Sequence, residues 1–238
     1  GKSAGSSTQG TKSVAIGDES GTTSQGQRAV AIGRQAGNNT QGEYSVAVGS
    51  EAGEVTQGTD AVSIGRQAGY DSGNDTVFVG SFAGGGTTGT RGAGAIGIGR
   101  SAGTNTTGQR AIAVGYNAQN GGSGLGSYAD SIGIGSYAGW RSQRDYTVAI
   151  GYEAGYDVQN SYGVAIGYRA GKTYAGDRAV AIGYLAGQNT LHSNSIVLNA
   201  KNATLDTVGT SRFYVKPVRS ASGNSQPLLR YDEDSGEI

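Results

Sequence analysis

Ser45-Val46-Ala47-Val48-Gly49 opens a unit that continues through Ala52-Gly53 and Thr56-Gln57-Gly58, and starts again at Ala61-Val62-Ser63-Ile64-Gly65. The two closing glycines lie 16 residues apart, and the same spacing extends outward in both directions. Gly17, Gly33, Gly49 and Gly65 keep it; Gly80 follows after 15 residues, Gly99 after 19, Gly115 after 16 and Gly135 after 20. Gly151, Gly167 and Gly183 return to 16, Asn199 takes the slot in the last copy, and Gly1 closes a truncated first one. Thirteen copies with one dominant period define a tandem repeat, in which a single unit cannot bury a core and must stack on its neighbours.

Within a unit, Val-Ala-Ile alternates large, small, large, and β-branched residues favour an extended strand. At a period of two, Val and Ile point to one face and Ala to the other. Glycines on both sides supply positive φ for tight corners. The expected fold class is therefore all-β. It is a parallel β-roll or β-solenoid of about thirteen 16-residue coils over residues 1–202, with a non-repeating C-terminal β cap or neck over residues 203–238. At about 4.8 Å per coil the rod is roughly 60 Å long.

The apolar pair is expected to face the coil interior. That assigns a structural core of Val14, Ile16, Val30, Ile32, Val46, Val48, Val62, Ile64, Val148, Ile150, Val164, Ile166, Val180 and Ile182. Two such side chains per coil fall far short of the entropy lost in ordering sixteen residues. The small Ala on the other face would let a second chain approach closely, so self-association is expected; the residues do not count the copies, and the homotrimer is what the resemblance drawn below implies. Thr-Gln-Gly, as in Thr40-Gln41-Gly42, predicts polar ladders between coils. Phe213, Val215, Val218, Leu228 and Leu229 are expected to form a short hairpin or prism over the last coil.

Composition narrows the function. There are 45 glycines, 2 prolines, 18 basic and 18 acidic residues and no cysteine. A zero net charge without a basic patch gives no electrostatic footprint for nucleic acid. The cysteine count excludes disulfides and thiolate metal sites. No apolar run reaches the ~20 residues of a membrane-spanning helix, so no membrane insertion is expected. His192, the only histidine, excludes a multi-histidine metal centre and leaves one candidate base for a triad. It falls in the Gln-Gly column and reads as a ladder or cap residue. Gly97-Ile98-Gly99 mimics a dinucleotide fingerprint with no helical pattern after it. No catalytic residue, cofactor or metal is assigned. With no methionine and Gly1 in phase with the repeat, the chain is expected to be a piece of a longer protein.

Ser45-Val46-Ala47-Val48-Gly49, Thr147-Val148-Ala149-Ile150-Gly151 and Ala179-Val180-Ala181-Ile182-Gly183 resemble the SVAIG head repeat of trimeric autotransporter adhesins, the YadA-type heads. That resemblance spans residues 1–203 and implies a left-handed roll, three chains around one axis, and a role in binding host surfaces. The unit here is longer, with its added Ala-Gly and Thr-Gln-Gly. The form Ile150-Gly151-Tyr152-x-Ala154-Gly155 also looks like repeats in phage and large-virus fibre proteins. Arg212-Phe213-Tyr214-Val215-Lys216-Pro217 and Leu228-Leu229-Arg230-Tyr231-Asp232 are similar to segments that, in such fibres, precede a self-cleaving trimerisation chaperone.

The expected function is thus an extracellular fibre or adhesin segment, on a cell surface or as a virion appendage, attaching to a host cell. A spacer filament without receptor binding and an ice-binding solenoid stand as alternatives. Candidate contacts for a host glycan or surface receptor are Trp140, Arg141, Tyr116, Tyr152, Tyr168 and Tyr184, the four tyrosines each following a motif glycine. They read equally as packing between coils. The longer units at Gly84–Ala95 and Gln119–Asp130 are candidate loops on a binding face. Asn38, Asn74, Asn105 and Asn202 lie in glycosylation sequons.

Overall fold

A computed structural model describes residues 1–86, 92–104, 108–121 and 129–217. Among these residues each Val-Ala-Ile triplet is a short strand, and each strand pairs in parallel with the next one along the chain. One 13-stranded sheet results, running from Val14–Ile16 through Val46–Val48, Ile112–Val114 and Val180–Gly183 to Phe213–Lys216. Like stacks on like, with Val14 against Val30, Ala15 against Ala31 and Ile16 against Ile32. The 15-, 19- and 20-residue units keep the register: Val62 meets Val77, Val77 meets Ile96, and Ile112 meets Ile132. The fold is a parallel β-solenoid. Extra residues are accommodated away from the rungs, and residues 87–91 and 122–128 of the two long units lie outside the described residues.

Smaller parallel sheets form the other side of each coil. Ser24–Gln25, Thr40–Gln41, Thr56–Gln57 and Asp71–Ser72 make one; Ser142–Gln143, Val158–Gln159 and Tyr174–Ala175 make a second. The two sides face each other across the interior. The amides of Gln41, Gln57 and Gln143 each donate to a rung carbonyl eleven residues earlier, of Val30, Val46 and Ile132, at 2.8 Å. They also donate along the axis, Gln25 to Gln41 at 3.1 Å and Gln41 to Gln57 at 3.2 Å. The predicted glutamine ladder is present, and it runs inside the roll.

That geometry reverses the predicted core. The interior is lined by alanine: Ala31, Ala47, Ala149, Ala165 and Ala181 at rung centres and Ala36, Ala52 and Ala154 at the corners are fully buried. Of the residues predicted as core, Val14, Ile16, Ile32, Ile64 and Ile182 are exposed, Ile16 to 56%. Val30, Val46, Val48, Val62, Val148, Ile150, Val164, Ile166 and Val180 are only half-buried. The cause is width. A single glutamine side chain spans the interior to reach the opposite backbone, which leaves room for methyl groups and none for Val or Ile. The large side chains therefore project outward as two rows along the sheet.

Substitutions in the interior compensate by volume. Phe78 occupies a rung-centre slot and is fully buried. It fits because Ser72 stands in the glutamine slot before it, and because Gly97 and Gly84 flank it, where a Cβ would sit 2.7 and 2.5 Å from its ring. Gln119 occupies a corner-glycine slot and donates to Gln143 at 2.8 Å. Gly133 makes space for it, since a Cβ there would lie 2.7 Å from the Gln119 Cγ. Toward the C-terminus the glutamine slot turns apolar, with Ala175 and then Leu191 packing near Val197 and Leu205.

The motif glycines are needed twice over. Gly49 has φ of 132° and its Cβ would lie 2.7 Å from the carbonyl carbon of Gly65, so an L side chain would be strained and would also strike the next coil. Asn199 ends this column. Its amide donates to the carbonyls of Tyr184 at 2.6 Å and Ala203 at 2.7 Å. The winding continues past residue 202: Phe213–Lys216 pairs in parallel with Ile196–Asn199, and Leu205 bridges to Ala186. Phe213 and Val215 thus add a rung, not an antiparallel hairpin, and Tyr214 in its centre packs against the terminal apolar core. Val218, Leu228 and Leu229 lie outside the described residues.

Candidate binding face

Each coil turns through two corners at which a non-glycine residue takes the left-handed conformation. One column holds Glu19, Gln35, Glu51, Gln67, Phe82, Ser101, Asn117, Tyr137, Glu153, Arg169 and Leu185. The second holds Arg28, Tyr44, Asp60, Asp75, Arg110, Asp130, Tyr146, Tyr162, Arg178 and Asn194. In-register stacking sets these side chains above one another about one strand spacing apart, close enough for ion pairs and ring contacts along the axis.

Chemistry changes along the first corner. Toward the N-terminus it is charged: Arg34 pairs with Glu51, Gln35 donates to Glu19 at 2.9 Å, and Gln67 donates to Glu51 at 2.5 Å. Arg66 then lies over the Phe82 ring at 4.3 Å, and Arg100 over Tyr116 at 5.4 Å. Beyond that, aromatic rings join the charged pairs at the corner.

Three of the four predicted tyrosines come together. Tyr152 stacks on Tyr168 with centroids 5.4 Å apart, and Tyr168 on Tyr184 at 5.2 Å, the planes within 13°. Their faces are covered by one another, so the column presents ring edges and hydroxyls. Tyr116 is separated from it by Ser136 and packs edge-on against Tyr137 at 5.2 Å. Trp140 is half-buried. It stacks on Tyr156 at 4.8 Å and meets Tyr137 edge-on at 6.0 Å. Arg141 lies 5.6 Å from the Trp140 ring and pairs with Asp157 at 3.1 Å.

Tyr137, Tyr156 and Lys172 were not singled out from sequence. Trp140, Tyr156 and Lys172 hold the same place in successive units, five residues past the motif glycine, and that phase was the available signal. Lys172 lies over the Tyr156 ring at 5.3 Å and pairs with Glu153 at 2.6 Å; Arg169 reaches the same carboxylate at 2.8 Å. Burial pushes the Glu153 carboxyl up, but hydrogen bonds from Lys172 and Tyr152 and the two neighbouring cations outweigh it and hold the group below its ordinary range. Burial, with the nearby carboxylates of Asp157 and Glu153, raises the Tyr156 phenol. On the second corner, Tyr146 stacks on Tyr162 at 5.2 Å.

Elsewhere, the His192 ring nitrogen Nδ1 lies 2.6 Å from the Thr207 hydroxyl, which also accepts from the His192 backbone N–H at 2.8 Å. Asn74 is exposed, and its side-chain oxygen accepts from the Thr59 N–H at 3.0 Å. Asn38 is half-buried and Asn202 exposed. Asn105 lies outside the described residues. Among the described residues no group of His, Asp and Glu is placed to hold a metal, and no helix is long and apolar enough to cross a membrane.

Residues 9–36 and 24–52 each match the model of the YadA head domain repeat. Residues 9–52 are therefore similar to YadA-type head repeats, the matched segments spanning three rungs of the ladder, from Val14–Ile16 to Val46–Val48. No curated protein and no solved structure matches the chain.

Proposed function

We propose that the chain is a segment of a surface-exposed adhesin-like fibre, in which three copies pack their Val/Ile rows around a common axis and turn the short-sheet side toward a host surface. The observation that carries this is the exposed apolar ladder. Side chains such as Ile16, Ile64, Ile98, Ile134 and Ile182 stand in one line outside the coil, exposed on a sheet that no other described residue covers. Contiguous exposed apolar surface of this extent marks an association face. The alanine-lined interior buries too little to support the coil alone, and burial between copies supplies the difference. YadA-type heads are trimeric in the resemblance drawn from sequence, which supports the count of three.

The test is mass in solution. The chain should sediment at three times its 23.9 kDa, and Ile64→Asp with Ile98→Asp should shift it to one. A wild-type chain of single-chain mass would overturn the reading. Attachment is tested by binding of the trimer to host cells. The spacer reading draws on the covered faces of Tyr152, Tyr168 and Tyr184, whose stacking makes them packing residues between coils. A trimer that binds no cell would favour it.

A further inference from the structure

We infer that the patch formed by Trp140, Tyr156, Tyr137 and the paired side chains around them is a binding site for neutral saccharide; the inference rests on the attachment role proposed above and names the ligand class of that face. Position is the first argument. Trp140 and Tyr156 directly precede the short rungs Ser142–Gln143 and Val158–Gln159. Those rungs lie across the interior from the Val/Ile sheet, as the hydrogen bonds of Gln143 and Gln159 to the carbonyls of Ile132 and Val148 establish. Association through Val and Ile leaves this side in solvent.

Charge is the second argument. Each cation at the patch is already matched: Arg141 with Asp157, and Lys172 and Arg169 with Glu153. The three basic groups exceed the two carboxylates by one, a surplus that the ion pairs spread over the rim, so a cationic ligand is disfavoured and an anionic one gains only a weak, salt-screened field. A sugar hydroxyl both donates and accepts, and the rim offers both roles side by side in Arg141 and Asp157. On the adjoining short rung Tyr174 is 45% exposed, and its hydroxyl accepts from Asn160 at 3.2 Å. Ring edges of Trp140 and Tyr156 beside preset polar pairs match the amphipathic ring of a hexose.

Trp140 is the only tryptophan, so its emission reports the site without a label. The full chain is titrated with hexa-N-acetylchitohexaose and laminarihexaose as neutral probes and a heparin hexasaccharide as the anionic one. A saturable emission change is expected with at least one neutral probe, unaltered between low and physiological salt. Tyr156→Leu should weaken it roughly five- to tenfold with the circular dichroism unchanged. Tyr162→Leu, in the stack at the other corner, should leave it as it is. No saturable change with either neutral probe, or a salt-sensitive response to heparin alone, would overturn the site. A trimer that gives no response removes the saccharide site alone, whereas a single-chain mass removes the association model and leaves the titration to stand by itself.

Discussion

Gly49 and Gln41 illustrate two different constraints on a residue in a stacked coil. At Gly49 both the backbone conformation and the neighbouring coil exclude a side chain, so Gly49→Ala should cost about 2 kcal/mol or more, read as a fall in denaturation midpoint. At Gln41 the constraint is hydrogen bonding. Its amide donates to Val30 and Gln57 and its oxygen accepts from Gln25. Gln41→Leu would strand those partners in the interior, at a cost of about 1–3 kcal/mol. Gln159 lies at the end of the polar run, its oxygen without a partner and the next two slots filled by Ala175 and Leu191. Gln159→Leu removes one bond, to the Val148 carbonyl at 2.9 Å, where Gln41→Leu disrupts three, so it should cost about 1 kcal/mol and less than Gln41→Leu, and chemical denaturation of the two variants side by side checks the contrast.

Between rungs, volume is shared by neighbours. Phe78 and Gly97 sit in register, so Gly97→Ala should be harmful beside Phe78 and tolerated in Phe78→Ala, giving a positive coupling of roughly 1–3 kcal/mol in a double-mutant cycle. Ion pairs also tie coil to coil. Arg110 grips Asp130 through two bonds of 2.7 Å and holds its carboxyl below the usual range; Glu153 is likewise held low. A carboxyl whose folded pKa is depressed adds stability above its unfolded value and loses it as pH falls through the folded one. The melting temperature should thus drop on acidification below about pH 4, and less steeply in Asp130→Asn. Period, register and the glycine columns were all readable in Val-Ala-Ile-Gly. Which face turned inward was not, because alternation defines two faces and hydropathy ranks them by greasiness alone. The width of the interior decides, and it is written in the glutamine that stands eight residues after Gly1, Gly17, Gly33, Gly49, Gly135 and Gly151. The tyrosine stack could likewise be foreseen as a column, while the Trp140 cluster mixes three phases of the repeat and emerges only when coils are stacked.

As a whole molecule the chain is one continuous parallel ladder in which every described coil touches only its neighbours, so stability accrues coil by coil. A regular array with an axial change of chemistry, stacked aromatic rings joining the ion pairs toward the C-terminus, has distinguishable ends although its backbone repeats. The same serial connectivity governs how the rod bears load. Tension applied to its two termini has no interlocked element to shear, so the ladder opens from an end, one turn detaching before the next is stressed. Each detached turn of sixteen residues releases roughly 53–58 Å of chain. Stretching single molecules in an optical trap should accordingly give a train of small, evenly sized extensions instead of one large rupture, so the rod yields like a leash where a rigid strut would snap.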